Sequence, residues 1–161
     1  MAKVIMLIGR ICSGKTTYAR RIETEEQAVR LSCDELMQTV FPEPLGDRYD
    51  MYARRCIHYL YHLGRQLVLD GVSVVMDMGC WTRGDRREAA AFFRDVEVDW
   101  RYLDVPREEW QRRIACRNRA VAEGRANLDE YYIDEGLLAK ADALFEPPAQ
   151  EEGLTLTVIS Q

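Results

Sequence analysis

Gly9-Arg10-Ile11-Cys12-Ser13-Gly14-Lys15-Thr16 has the form G-x-x-x-x-G-K-[ST], the phosphate-binding P-loop. Gly9 and Gly14 permit backbone angles that a side chain forbids. The N–H groups of Gly9, Arg10, Ile11, Cys12, Ser13, Gly14, Lys15, Thr16 and Thr17 can then turn inward around the oxygens of a nucleoside triphosphate. Lys15 is placed to reach the β- and γ-phosphates as a point charge, and the Thr16 hydroxyl to sit on Mg²⁺. The flanks decide between this reading and a glycine-rich turn with a surface lysine. Val4-Ile5-Met6-Leu7-Ile8 is a continuous apolar run, the signature of a buried parallel strand. Thr17 to Glu23 has helical character, so strand, loop and helix follow in the required order. The chain otherwise favours arginine, its lysines being Lys3, Lys15 and Lys140. It keeps lysine where a P-loop needs one.

The 161 residues are expected to form one domain with one sizeable core. Hydrophobic residues make up 47% and charged residues 30%, the balance of a soluble globular protein. No apolar run approaches the roughly 20 residues needed to span a bilayer, and the chain enters a strand at once, so neither a membrane span nor a signal peptide is expected. The five cysteines are odd in number and scattered, which points to reduced thiols and a cytoplasmic protein rather than a disulfide framework or zinc site. The net charge of -5 gives no electrostatic footprint for nucleic acid.

Gln27 to Leu31 reads as the second strand, ending at Ser32-Cys33-Asp34-Glu35. Ligands of open parallel sheets bind beyond the carboxyl ends of the strands. Asp34 is therefore expected to face the phosphates, where it can take a proton from a substrate hydroxyl or hold metal-bound water. It could also cap the helix that follows. The proline-rich loop from Phe41 to Arg48 falls where a second substrate would enter, with Arg48 a candidate contact or a solvated side chain.

Asp50 to Asp70 is expected to be one long amphipathic helix, with Tyr52, Cys56, Leu60, Leu63 and Leu67 on one stripe and Gly71 ending it. His58 and His62 share a face, a geometry that can bind a metal, but nothing in the sequence completes the set. Val72 to Asp77 is the third strand, and its terminal Asp77 has the form of a Walker B aspartate suited to Mg²⁺. Trp81 lies just beyond, with Thr82 or Asp85 placed to cap a helix carrying Arg83, Arg86 and Arg87 near the mouth. One of these, Arg86 in particular, is a candidate for holding an anionic substrate; otherwise they form a solvated face.

Val96 to Leu103 is the fourth strand. Pro106 then starts a helix at its first position and ends near Gly124. Arg112, Arg113, Arg117 and Arg119 crowd that helix, with Arg113 and Arg117 one turn apart on one face. Such crowding destabilises an isolated helix unless an anion relieves it, so residues 107–130 read as a lid that closes on ATP. A solvated basic face paired with nearby glutamates is the alternative. A helix from Asp134 to Leu144 and a strand from Leu154 to Ile159 complete the chain. The repeated strand–helix order specifies a three-layer α/β/α sandwich around five parallel strands.

With these pieces in place the chain resembles P-loop kinases of the zeta-toxin and polynucleotide-kinase-like group. The resemblance spans nearly the whole chain and rests on GRICSGKT at 9–16, LSCDEL at 31–36, VVMDMGCWTRGDRRE at 74–88, LDVPREEWQRRIACRNR at 103–119 and ALFEPP at 143–148. It implies strand order 2-3-1-4-5, ATP with Mg²⁺ as donor, Asp34 as base, Arg113 and Arg117 as a short arginine lid, and Phe145 and Pro147 near the adenine. Polynucleotide kinases place an arginine shortly after that aspartate, whereas this chain has Glu35-Leu36-Met37.

The expected activity is transfer of the γ-phosphoryl group of ATP to a hydroxyl of a small molecule. Asp34, Arg48, Trp81 and Arg86 are the candidate acceptor contacts, and Lys15, Asp34, Arg113 and Arg117 the catalytic ones. The rivals are a 5′-hydroxyl polynucleotide kinase and an ATP-binding regulatory protein without an acceptor. Nothing in the sequence names the acceptor or the oligomeric state.

Overall fold

β1 (Val4–Ile8) is fully buried at every residue and sits at the centre of the sheet. The computed structural model describes residues 1–127 and 130–160. The remaining elements, in chain order, are α1 (Lys15–Glu25), β2 (Val29–Ser32), α2 (Cys33–Val40), α3 (Tyr49–Leu69), β3 (Val74–Asp77), α4 (Arg83–Phe92), β4 (Val98–Asp104), α5 (Arg107–Ala122), α6 (Glu135–Leu144) and β5 (Leu156–Ser160). Single 3-10 turns lie at Gly46–Arg48 and Gln150–Glu152. All five strands run parallel in the order β2-β3-β1-β4-β5, as the sequence led us to expect.

The alternation of β1 divides the core into two layers. Val4, Met6 and Ile8 face α3 and α4, meeting Leu60, Tyr61, Val68, Ala89 and Phe93. Ile5 and Leu7 face the other way, toward Tyr18, Ala19 and Ile22 of α1. A third cluster, Ile11, Trp110, Ile114, Ile133 and Ala141, fastens the P-loop to α5 and α6. The register pairs Ser32 with Asp77, so the carboxyl ends of β2 and β3 finish side by side next to the loop after β1. That is what gathers the site.

Several boundaries differ from the sequence-based expectation, each for a local reason. Ser32, not Asp34, caps α2: its Oγ accepts the Glu35 N–H at 3.3 Å. Asp34 is thereby left in the first helical turn. β3 starts at Val74 because the Gly71 and Val72 amides close the end of α3 on the Val68 and Leu67 carbonyls. Pro106 precedes α5 as its cap, and its carbonyl accepts the Trp110 N–H at 2.9 Å. Thr82 and Asp85 act together as a reciprocal capping box on α4. The apolar stripe of α3 packs into the core, with Leu60 buried and Tyr52, Cys56, Leu63 and Leu67 half-buried against it.

Candidate functional site

The P-loop is braced from several sides. Gly14 adopts φ +88°, which leads the chain into α1, and a Cβ on Gly9 would lie 2.6 Å from Ser13 Oγ. The indole N–H of Trp110 donates to the Ile11 carbonyl at 2.6 Å. Arg113 donates to the Ser13 carbonyl at 3.0 Å and to Glu109 at 2.8 Å. The Arg10 guanidinium lies 5.0 Å from the Trp110 ring and 5.1 Å from the Phe145 ring, and Asp142 accepts from it at 2.5 Å. The first two bonds engage the Ile11 and Ser13 carbonyls, which a phosphate would repel.

Lys15 Nζ donates to the carbonyls of Gly9 at 2.9 Å and Arg10 at 2.5 Å. Burial of its ammonium pulls its pKa from the usual 10.5 down to about 8, against the opposing pull of Asp77 and Asp34. The charge is desolvated and awaits an anion. Asp77 is buried, and Arg30 Nη1 holds its Oδ2 at 3.0 Å. The same guanidinium pairs with Glu35 in the first turn of α2.

A cavity of about 890 Å³ joins these parts. The P-loop from Ile11 to Thr17 lines one side, together with Arg117 and Tyr131. Asp34, Met37, Phe41, Leu45, Ala53, Ile57 and Trp81 line the other. Asp77 lies at the junction, so Lys15, Thr16, Asp34, Asp77, Arg117 and Trp81 are brought together. Thr16, Asp77 and Asp34 offer hard oxygen donors, the set Mg²⁺ takes, and Mg²⁺ needs only one or two carboxylates beside phosphates and water. No group of three His, Cys, Asp or Glu forms a self-contained metal cage among the described residues.

Other expected site residues lie elsewhere. Arg86 does not reach the cavity: it is fully buried. Its Nε and Nη2 donate to Glu152 at 2.7 and 2.8 Å, and its Nη1 donates to the Cys80 carbonyl at 3.1 Å. A guanidinium buried away from the cavity and paired with Glu152 is closed to a substrate there, which corrects the expectation for that residue. Arg48 is exposed on the 3-10 turn and does not line the cavity. Arg113 is spent on the Ser13 carbonyl and Glu109, while Arg117 stands 6.0 Å from the Tyr131 ring inside the cavity wall. Phe145 is buried beneath Arg10 and Pro147 is exposed; neither lines the cavity. His58 turns to Glu88 at 2.9 Å and His62 packs edge-on against Phe92, so the two do not share a metal. The expected lid of 107–130 includes 128 and 129, which lie outside the described residues.

Arg30 and Trp110 were missed in the sequence. Arg30 carried a signal, since a charge inside a strand of a parallel sheet, which is covered on both faces, needs a partner. Asn118 was missed as well: its amide exchanges two hydrogen bonds, at 2.8 and 2.7 Å, with the backbone of Ile133 and ties the 130–134 segment to α5.

A parallel 2-3-1-4-5 sheet with a Walker loop after its central strand and carboxylates at the next two strand ends defines a P-loop fold of the kinase type. The AAA_33 model of the AAA domain matches residues 4–148, and the chain belongs to that family. No curated protein matches it. Solved structures with the same fold include a sugar kinase from Janibacter sp. HTCC2649, 20% identical, with a TM-score of 0.62 over 99% of this chain and 86% of that one. The APS kinase CysC of Mycobacterium tuberculosis, in complex with AMPPNP and APS, is 20% identical, with a TM-score of 0.64 over 99% and 88%. A chain of the Pnkp1/Rnl/Hen1 RNA repair complex is 19% identical, with a TM-score of 0.65 over 89% of this chain and 43% of that one.

Proposed function

We propose that the protein is an ATP-dependent kinase that transfers the γ-phosphoryl group to a hydroxyl of a small molecule, using residues 1–161 as one catalytic domain. The observation that carries this reading is one cavity, with the phosphate loop in one wall and, in a second wall, the carboxylate of Asp34 together with residues of α2 and α3. A nucleotide-binding switch has no need of the second wall. The motifs resemble those of the zeta-toxin and polynucleotide-kinase-like group, and the chain's free thiols suit the reducing, ATP-rich cytoplasm.

The chemistry follows from position. Backbone N–H groups of the loop and Lys15 hold the phosphates. Thr16 and Asp77 would hold Mg²⁺, which neutralises charge on the β- and γ-phosphate oxygens when bound. Asp34 orients the acceptor hydroxyl and takes its proton as the new O–P bond forms and the bond to the β-phosphate oxygen breaks, releasing ADP. Arg117 draws charge off the phosphoryl oxygens, with Arg113 securing the loop beneath it. Arg10, with Phe145 beneath it and Pro147 beyond, supports the adenine side. Sugar, adenylyl-sulfate and nucleic-acid enzymes share this fold, so the acceptor is set by the pocket and not by the sheet.

The test is ADP release from ATP·Mg²⁺ across a panel of hydroxyl compounds, with Lys15→Ala and Asp34→Asn alongside. Acceptor-stimulated release that both variants lose supports the reading. Slow release indifferent to every acceptor, or near-normal turnover by Lys15→Ala, overturns it.

A further inference from the structure

Six residues give the acceptor wall its carbon surface, beside polar neighbours such as Gln38, Thr82 and Asp85. Met37 and Phe41 come from α2 and its end, Leu45 from the following loop, Ala53 and Ile57 from α3, and Trp81 from the turn after β3. Phe41 is fixed by packing on Tyr52, ring centroids 4.7 Å apart. Trp81 is seated on Gly79, where an added Cβ would lie 2.7 Å from its Nε1. Two aromatic faces are therefore held in place before any ligand arrives.

Two cations that border this wall, Arg54 and Lys140, are already ion-paired. Arg54 and His58 each meet Glu88 at 2.9 Å, and Lys140 meets Asp50 at 3.3 Å. Glu43 and Asp85 also line the cavity. An anionic acceptor would have to break these pairs and face those carboxylates. A hexose, with a hydroxyl on nearly every carbon, would find partners at the carboxylate side of the wall but would leave the hydroxyls that meet Met37, Leu45 and Ile57 unpaired.

We infer that the acceptor is an uncharged alcohol with an apolar, ring-sized body, bound between α2 and α3 with its ring beside Phe41 and Trp81 and its hydroxyl at Asp34. This rests on phosphotransfer at the same site.

The test separates the two. Binding of 2-phenylethanol, 3-phenyl-1-propanol, glucose and a 5′-hydroxyl hexathymidylate is measured by saturation-transfer NMR on the Lys15→Ala protein, which cannot turn over. The same compounds are then tried for ADP release with the native protein. Ala53→Trp fills the wall and Ile57→Asp charges it, and bound fluorescent ADP reports whether each variant is folded. The aryl alcohols are expected to bind roughly tenfold or more tightly than glucose and to lose that margin in both variants. Stronger binding of glucose or the oligonucleotide overturns the inference, as does no binding by either aryl alcohol. Aryl alcohols that bind in this way but leave ADP release unchanged uphold the pocket chemistry and overturn the phosphotransfer reading instead.

Discussion

Arg30 on β2 and Asp77 on β3 form an ion pair at 3.0 Å in which both side chains are almost wholly removed from water. Two adjacent strand ends are locked, and the carboxylate that faces the phosphate loop is fixed by a guanidinium on its far side. Removing one partner leaves the other charge buried, which costs about 3–5 kcal/mol. Arg30→Met is expected to lower unfolding free energy in urea by that amount and to raise the Mg²⁺ concentration needed for half-maximal ADP release. A variant with unchanged stability would show that water reaches Asp77 without Arg30.

Arg86 makes a parallel case with a different consequence. Its guanidinium is fully buried and bidentate on Glu152. Arg86→Met should lose roughly 3 kcal/mol or more of stability, while KM for the acceptor stays at the native value under conditions where the variant remains folded. A selective rise in KM at unchanged stability would return Arg86 to the substrate. Arg86 also holds the Glu152 carboxyl below its usual value. That contribution is present above the unfolded pKa near 4.5 and is lost as pH falls through the lower folded value, so Arg86→Met should flatten the acid limb of the stability profile.

Local pattern made the sheet legible. An unbroken apolar run at Val4–Ile8, a P-loop and the repeated strand–helix order specify a parallel sheet, and the resemblance to P-loop kinases supplied its strand order. That Lys15, Thr16, Asp34 and Asp77 would meet around one cavity was legible for the same reason, since each sits at a fixed offset from a strand end. Arg86 was not, because its partner Glu152 lies 66 residues away and an arginine on a short helix near the mouth reads as substrate-binding or solvated. Trp110 reads as ordinary core until the fold brings its indole N–H to Ile11. Long-range pairs of polar atoms carry no periodicity, and so no local signal.

The Trp110–Ile11 hydrogen bond is buried and bridges α5 to the phosphate loop over 99 positions. Trp110→Phe keeps an aromatic ring but strands the Ile11 carbonyl, at a cost of about 1–3 kcal/mol. Beyond that loss, the loop becomes freer to leave its phosphate-binding shape. Fluorescent-ADP titration of the folded variant should show weaker binding, chiefly through faster dissociation. Native affinity with reduced stability would confine Trp110 to packing.

Lys15 gives the sharpest pH signature. Burial sets its folded pKa near 8, below the unfolded 10.5. Below about 8 both states carry the proton, and the desolvated charge weighs fully against the fold. Between 8 and 10.5 the unfolded chain binds more protons, so this group adds stability as pH rises. Nucleotide phosphates supply the missing counter-charge and raise the folded pKa. Binding of ADP near pH 8.5 is therefore expected to take up a fraction of a proton and to weaken as pH climbs further. Calorimetric titration in two buffers of different ionisation enthalpy measures that uptake. It should vanish in Lys15→Met. No uptake in the native protein, or equal uptake in the variant, would mean that Lys15 is already fully charged before the phosphates arrive.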